Sequence, residues 1–158
     1  MTMIEYSTAL SSNVRDRFYI DGEWVACHSG ARHVLVSPAT EAPFMSVPLA
    51  DSVDVERAIA AARRAFDSGP WPKMPGAERS VYLKRLTEEI RQRLPLLAQL
   101  WTAQVGAPIT FASGLLPVGI TRFEFFSSLA ETFEFEDARP TRRGHARVRR
   151  EPVGVAAL

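Results

Sequence analysis

The stretch Arg150–Leu158, REPVGVAAL, constrains this chain more than any other. Val153, Val155, Ala156 and Leu158 follow a Pro-Val step with no turn residue, cap or charge after them, which is the pattern of an interior β-strand at its start. A strand satisfies its backbone N–H and C=O groups through neighbouring strands. The run is therefore expected to belong to a sheet whose other members these residues do not supply.

The composition is that of a folded, water-soluble domain, with 158 residues, 46% of them hydrophobic and 23% charged. A net charge of +1 argues against a polyanion-binding protein. The charge is uneven, because the acidic cluster Glu131, Glu134, Glu136 and Asp137 is followed by Arg139, Arg142, Arg143, Arg147, Arg149 and Arg150. No aromatic residue is interleaved with these arginines for base stacking, so the run reads as a solvated face and no nucleic-acid partner is expected. Cys27 is the only cysteine, which rules out an internal disulfide and points to a reducing compartment, the cytoplasm. MTMIEYSTAL lacks the basic start and apolar stretch of a signal peptide. No run approaches the roughly 18 apolar residues of a membrane span.

Along the chain, residues 1–16 are polar and unpatterned and are expected to form a flexible leader. RFYIDGEWV places apolar stretches on both sides of Asp21-Gly22, a dipeptide suited to a tight hairpin turn. HVLVSPAT is a further extended stretch, stopped at Ser37-Pro38. DSVDVERAIAAARRAFDSG is the clearest helix: Asp51 caps it, Asp54 reaches back as in a capping box, and Val55, Ile59, Ala62 and Phe66 share a face. Gly69 and Pro70 end it. A second helix is expected from Ala77 to Arg93, with Leu83, Leu86, Ile90 and Leu94 aligned. Pro95 either breaks it or opens a third helix, LLAQLWTAQV, closed by Gly106 and Pro108. ITRFEFFSSLAETF reads as a fourth helix, with Ile120, Phe123, Ser127 and Ala130 on one side and Phe126 and Phe133 on another.

Few residues carry chemistry. Cys27, His28 and His33 lie close in sequence, but a zinc site needs a second pair of ligands that is missing, so no metal site is expected. Cys27 has no neighbouring base or helix N-terminus to activate it as a nucleophile. Gly106 and Gly114 belong to no phosphate-binding motif. Trp24, Trp71 and Trp101 read as structural anchors rather than a pocket lining, and Glu124 and Glu131 as ordinary helix carboxylates. No catalytic, cofactor-binding or metal-binding residue is assigned.

The order of segments is more informative than any one of them. FYIDGEWV, then VSPATEAPFMSVPLADSVDVERAIAAARRAFDSGPWPKMPGAERSVYLKRLTEEI, then TAQVGAPI, then RVRREPVGV resemble successive landmarks of the aldehyde dehydrogenase superfamily. The chain is identified on this ground as a member, from about Phe18 to Leu158. Proteins of that family are about three times longer and oxidise aldehydes with NAD or NADP through a thiohemiacetal on a cysteine. The resemblance implies that the family's lysine and glycine-rich turn for the cofactor, its glutamate base, its nucleophilic cysteine and its Pro-Trp-Asn segment all fall downstream of these residues. Cys27 lies in VACHSG and does not match the family's cysteine motif. Two smaller departures are Ala107, where many members carry Lys, and Pro75-Gly76, where members usually carry Ser or Thr followed by Pro.

The expected fold is mixed α/β and helix-rich, with an N-terminal β-hairpin, about four helices and an extended C-terminal β arm: an incomplete cofactor domain of the dehydrogenase type. By the resemblance, residues 17–138 form the N-terminal part of that domain, residues 139–152 an oligomerisation-type arm, and residues 153–158 the first strand of a Rossmann sheet. The chain reads as the N-terminal third of a dehydrogenase, whether a truncated product, a disrupted-gene remnant or an expressed fragment. It is expected to bind no cofactor by itself and to be inactive alone. It is also expected to be marginally stable with exposed apolar patches, and to self-associate or join a full-length homologue through residues 139–158.

Overall fold

A computed structural model of the chain describes residue 10 and residues 12–157. In order, the elements are α1 (Ser12–Asp16), β1 (Phe18–Ile20), β2 (Glu23–Val25), β3 (Arg32–Val36), β4 (Pro43–Pro48), α2 (Ser52–Ser68), a 3₁₀ turn (Trp71–Lys73), α3 (Gly76–Val105), α4 (Ile109–Thr132), β5 (Glu136–Thr141) and β6 (Gly144–Arg149). The strands form three separate two-stranded antiparallel sheets, β1–β2, β3–β4 and β5–β6. The fold is thus mixed and helix-rich, as expected. Of the flexible leader expected over residues 1–16, residues 1–9 and 11 lie outside the described residues, while the end of that stretch forms α1 instead of a loose chain.

Local chemistry accounts for most of these elements. The Asp21-Gly22 turn has both central residues at positive φ, 56° and 84°, which matches the right-handed twist of the β1–β2 hairpin. HVLV forms most of β3, and its partner β4 is a strand that the prolines at either end, Pro43 and Pro48, conceal in the sequence. Helix α2 starts where Asp51 Oδ1 accepts the N–H groups of Val53 and Asp54, at 3.0 and 3.1 Å, and stops where Gly69 N–H closes on Ala65 O.

The long helices depart from expectation. Pro95 neither breaks the second helix nor opens a third, and α3 runs unbroken from Gly76 to Val105. The fourth helix begins at Ile109, eleven residues before its expected start at Ile120, and contains Pro117. A proline inside a helix costs about 3 kcal/mol through its lost N–H and ring clash. Both proline rings are exposed, and tertiary packing of α3 against α4 offsets that cost.

That packing is antiparallel and unusually close. Its buried line consists of small side chains, Ser80, Thr87 and Ala98 on α3 and Ala112 and Ser127 on α4, together with Ile120. The Thr87 and Ser127 hydroxyls donate to the carbonyls one turn back, Leu83 O and Phe123 O, so neither is left unpaired. Leu83, Ile90 and Leu94 flank this line half-buried, but Leu86 is 46% exposed. With 3.6 residues per turn, Leu86 sits roughly 120° around the helix from Ser80, so the leucine stripe is rotated away from the contact. A second small core joins Phe44 and Met45 of β4 to Leu10, Leu35, Leu100 and Ala103.

Apolar faces elsewhere are open. Val55 and Ile59 of α2 are exposed, as are Phe111, Leu115, Val118, Phe125 and Phe126 of α4. Residues 151–157, expected to enter a strand from Val153, form none, and Val153 is fully exposed. No neighbouring strand lies beside them among the described residues; Leu158 is outside those residues.

The departure at Pro75-Gly76 has a structural reason. A Cβ on Gly76 would stand 2.0 Å from Ala130 O, so only glycine lets the start of α3 approach the end of α4 this closely. Gly76→Ala is therefore expected to destabilise the chain by about 1–3 kcal/mol despite the better helix propensity of alanine. Gly114→Ala, where a Cβ meets nothing within 4 Å inside α4, is expected to stabilise by about 0.5–1 kcal/mol. Urea unfolding of the two variants checks the pair; a midpoint for Gly76→Ala at or above that of the parent chain contradicts the close approach.

Candidate functional site

The residues with chemical potential are placed apart from one another. Cys27 Sγ donates to Leu49 O at 3.1 Å, His28 turns to the start of α2, and His33 lies in β3 opposite Val47. Among the described residues, no group of three or more His, Cys, Asp or Glu side chains is placed to hold a metal ion. The tryptophans likewise share no pocket: Trp24 packs edge-on against Tyr19 and Trp71 against Tyr82, while Trp101 meets Phe111 at a tilt. Each ties together neighbouring parts of the scaffold.

The best-organised polar cluster surrounds the N-terminus of α2. Asp51 caps the helix and also accepts from His28 Nδ1 at 2.7 Å. Asp54 does not complete a capping box. Its carboxylate is buried, at 1% exposure, and accepts the backbone N–H of His28 at 3.0 Å. The two carboxylates clamp the loop after β2 onto the helix, and one of them already occupies the free helical N–H groups to which a phosphate would otherwise bind.

A second polar line runs along the seam between α3 and α4. Glu131 accepts from Ser80 Oγ at 2.7 Å and from Lys84 Nζ at 2.6 Å, which holds its carboxyl below the ordinary range, the lysine contributing most. Arg91 bridges Glu124 and Glu88. Glu124 and Glu131 therefore fix the helix register and stand ready for no substrate. The groove of ≈ 170 Å³ beside them is lined by side chains that already have partners. An open cleft of ≈ 340 Å³ between the β1–β2 turn and α2 is floored by Ala58, Ala61, Ala62 and Ala65, which offer no chemistry.

The third feature is the arm. Strands β5 and β6 form a ribbon with a short turn at Arg142-Arg143, and both are exposed along nearly their whole length. Its root is fixed: Arg150 N–H donates to Phe135 O at 2.8 Å, Arg79 of α3 lies over the Phe135 ring, and Arg150 lies over Phe133.

Helical hairpin, capped α2 and exposed ribbon together form a mixed α/β scaffold. The aldehyde dehydrogenase family model matches residues 24–158, and the chain belongs to that family. It is 36% identical to betaine aldehyde dehydrogenase 1 of Oryza sativa subsp. japonica over 157 residues, covering 95% of this chain and 31% of that protein. It is 35% identical to the geranial dehydrogenase of Castellaniella defragrans, covering 87% of this chain and 29% of that enzyme. The aldehyde dehydrogenase of Mycobacterium tuberculosis, solved in complex with NAD+, superposes with a TM-score of 0.80 at 31% identity, covering 88% of this chain and 29% of that one. The chain thus spans about three-tenths of the length of these relatives.

The residues described here do not fit the dinucleotide that the family implies. Such a ligand needs a parallel sheet with a glycine-rich turn and a free helix N-terminus at its carboxyl edge. All three sheets here are two-stranded and antiparallel, and the N-terminus of α2 is filled by Asp51. None of the described residues is therefore assigned to NAD or NADP.

The clamp on α2 makes a pH prediction. The Asp51 carboxylate raises the pKa of His28, whose bond contributes stability that is complete below the usual imidazole value of about 6.5 and is lost as pH rises through the elevated one. Asp51, lowered by His28 and by the helical N–H groups, keeps its contribution until pH falls through its own depressed value. The Tm advantage of the parent chain over His28→Ala is expected to shrink between about pH 5.5 and about pH 8. An advantage that stays constant over that range contradicts the bond.

Proposed function

We propose that the chain is the N-terminal scaffold of an NAD(P)-dependent aldehyde dehydrogenase, an enzyme that oxidises aldehydes to carboxylic acids, and that these residues alone are catalytically inactive. The observation that carries this reading is the match of 95% of the chain to 31% of a betaine aldehyde dehydrogenase, with no nucleophile–base pair among the described side chains. Covalent catalysis needs an activated nucleophile beside a base and donors aimed at the developing oxyanion. Cys27 instead donates its thiol to a backbone carbonyl. On this reading residues 17–138 are the N-terminal part of the cofactor domain, residues 139–152 the oligomerisation-type arm, and residues 153–158 the opening strand of the Rossmann sheet. The NAD or NADP implied for the full-length family is supported by relatives such as the NADP/NAD-dependent aldehyde dehydrogenase PuuC of Escherichia coli, 31% identical over 94% of this chain.

The purified chain is expected to form no NAD(P)H from aldehydes at any chain concentration; saturable, aldehyde-dependent production sinks the reading. The exposed Val55, Ile59, Phe111, Leu115, Val118 and Phe125 support a further expectation, that the chain binds a hydrophobic dye and sediments as mixed oligomers. A dye-silent monomer would show these faces covered.

A second reading rests on the unpaired edges of the β5–β6 ribbon. The chain is then a non-catalytic module that joins a full-length dehydrogenase through residues 139–158. Tagged chain co-expressed with such an enzyme is expected to retain it, and to lose it when residues 136–150 are deleted.

A further inference from the structure

The turn between β1 and β2 places a reactive dipeptide where the scaffold leaves it accessible. Asp21 is the only aspartate of the chain that is followed by glycine. A side chain on the following residue shields its peptide nitrogen from the aspartate carboxyl carbon, and glycine has none. A Cβ at Gly22 would meet nothing within 4 Å, so the surroundings shield that nitrogen no better. The Asp21 side chain is 63% exposed, and its Oδ2 accepts from Arg64 Nη2 of α2 at 2.7 Å. That ion pair ties the turn to the helix.

The closed turn does not present the reacting geometry. Asp21 and Gly22 both have positive φ, the pattern of a type I′ turn, and in the left-handed region ψ is about +47°. At that angle the Asp21 Cβ and the Gly22 nitrogen lie on opposite sides of the Cα–C bond, whereas ring closure needs them on the same side. The bond must rotate, so the hairpin must open first. Little holds it shut. Its strands share the pairs Phe18 with Val25, Tyr19 with Trp24 and Ile20 with Glu23, and among the described residues no third strand joins them. A lone two-stranded hairpin is marginal in water, and the Arg64 pair is the side-chain bond that fastens its tip.

We propose that the Asp21-Gly22 turn is a site of spontaneous backbone modification, the shift of aspartate to isoaspartate, and that Arg64 is the latch that slows it. In the open hairpin the Gly22 nitrogen attacks the Asp21 side-chain carboxyl carbon. A C–N bond forms, and the N–H proton, a proton from solvent and one carboxylate oxygen leave as water. Water then splits the succinimide ring. At the new bond it restores aspartate; at the original peptide bond it leaves the main chain running through the Asp21 Cβ, with the former peptide carbonyl as a free carboxylate. Nothing is oxidised or reduced, and the mass of the chain is unchanged. The extra main-chain carbon disrupts the two-residue turn, whose length fixes the strand register. The hairpin then loses its seat beside Ala58, Ala61, Ala62 and Ala65 of α2.

The test follows the purified chain during incubation in warm neutral buffer. Its tryptic peptide from Phe18 to Arg32 is separated by chromatography, where the isoaspartate form runs as a second peak of equal mass. The isomer is expected to accumulate at least about threefold more slowly in buffer than in urea, because only the open hairpin reacts. Arg64→Ala is expected to speed its formation in buffer about two- to fivefold, the range that an exposed ion pair holds back. In urea that variant and the parent chain are expected to react at one rate, which separates a loosened latch from a change in the dipeptide itself. Arg63→Ala removes a neighbouring charge whose partner is Asp67 of the same helix, and is expected to leave the rate unchanged. Asp21→Glu is expected to give no isomer, since its longer side chain must close a larger and slower ring. Circular dichroism checks that the variants stay folded. No isomer in urea, equal rates in buffer and urea, or an Arg64→Ala rate no different from that of the parent chain or of Arg63→Ala overturns the proposal.

Discussion

The close approach of α3 to α4 is the constraint on which the rest of the structure depends. Two helix backbones come together only where the side chains between them are small, and here those are Gly76, Ser80, Ala98, Ala112 and Ser127. Apart from Ile120, the large apolar residues are displaced to the flanks of the seam, and Val81, Tyr82, Leu86, Phe125 and Phe126 are left exposed. The ion pairs beside the seam, Lys84 with Glu131 and Arg91 with Glu124, are too exposed to contribute much energy singly. Their effect is on register, because a slide of one helix along the other would separate both pairs at once.

The capped start of α2 shows what a sequence does and does not disclose. Asp51 is legible because its partners, Val53 and Asp54, lie within one helical turn. Asp54 has the spacing of a capping box, yet its partner is His28, 26 residues away, and nothing local announces that contact. The same division runs through the fold. The Asp21-Gly22 hairpin and the Gly69 and Gly106 helix ends are short-range and are read correctly. Strand β4 and the passage of α3 through Pro95 depend on packing against distant elements, and proline overrides any local reading of them.

The family was legible in a different way from the fold. No single motif carries the chemistry of a dehydrogenase, and Cys27, His28 and His33, the residues with the most reactive side chains, turn out to hold loops in place or stand exposed on a strand. What identifies the chain is the order of weak scaffold signals along its length. Packing and turn positions are constrained by geometry over the whole scaffold, so their pattern persists in a stretch among whose described residues no reactive centre is assigned. Pro75-Gly76 illustrates the point, since it departs from the usual capping chemistry and is explained only by the backbone contact with Ala130.

The arm joins these threads. A two-stranded ribbon is marginal by itself in water, and this one has no sheet beneath it. It is held at its root, where Arg79 on the first turn of α3 covers Phe135, Phe135 packs edge-on against Phe133, and Arg150 covers Phe133. Arg79 can occupy that place only because α3 begins against the end of α4, which in turn requires glycine at position 76. The bond between Arg150 and Phe135 then sets the ladder's alternation from its base, so the contact that closes the helical hairpin also decides which peptide groups of the ribbon point outward. Moving the root by one residue would turn the N–H-deficient Pro140 inward, where the ribbon's own ladder would lose a bond.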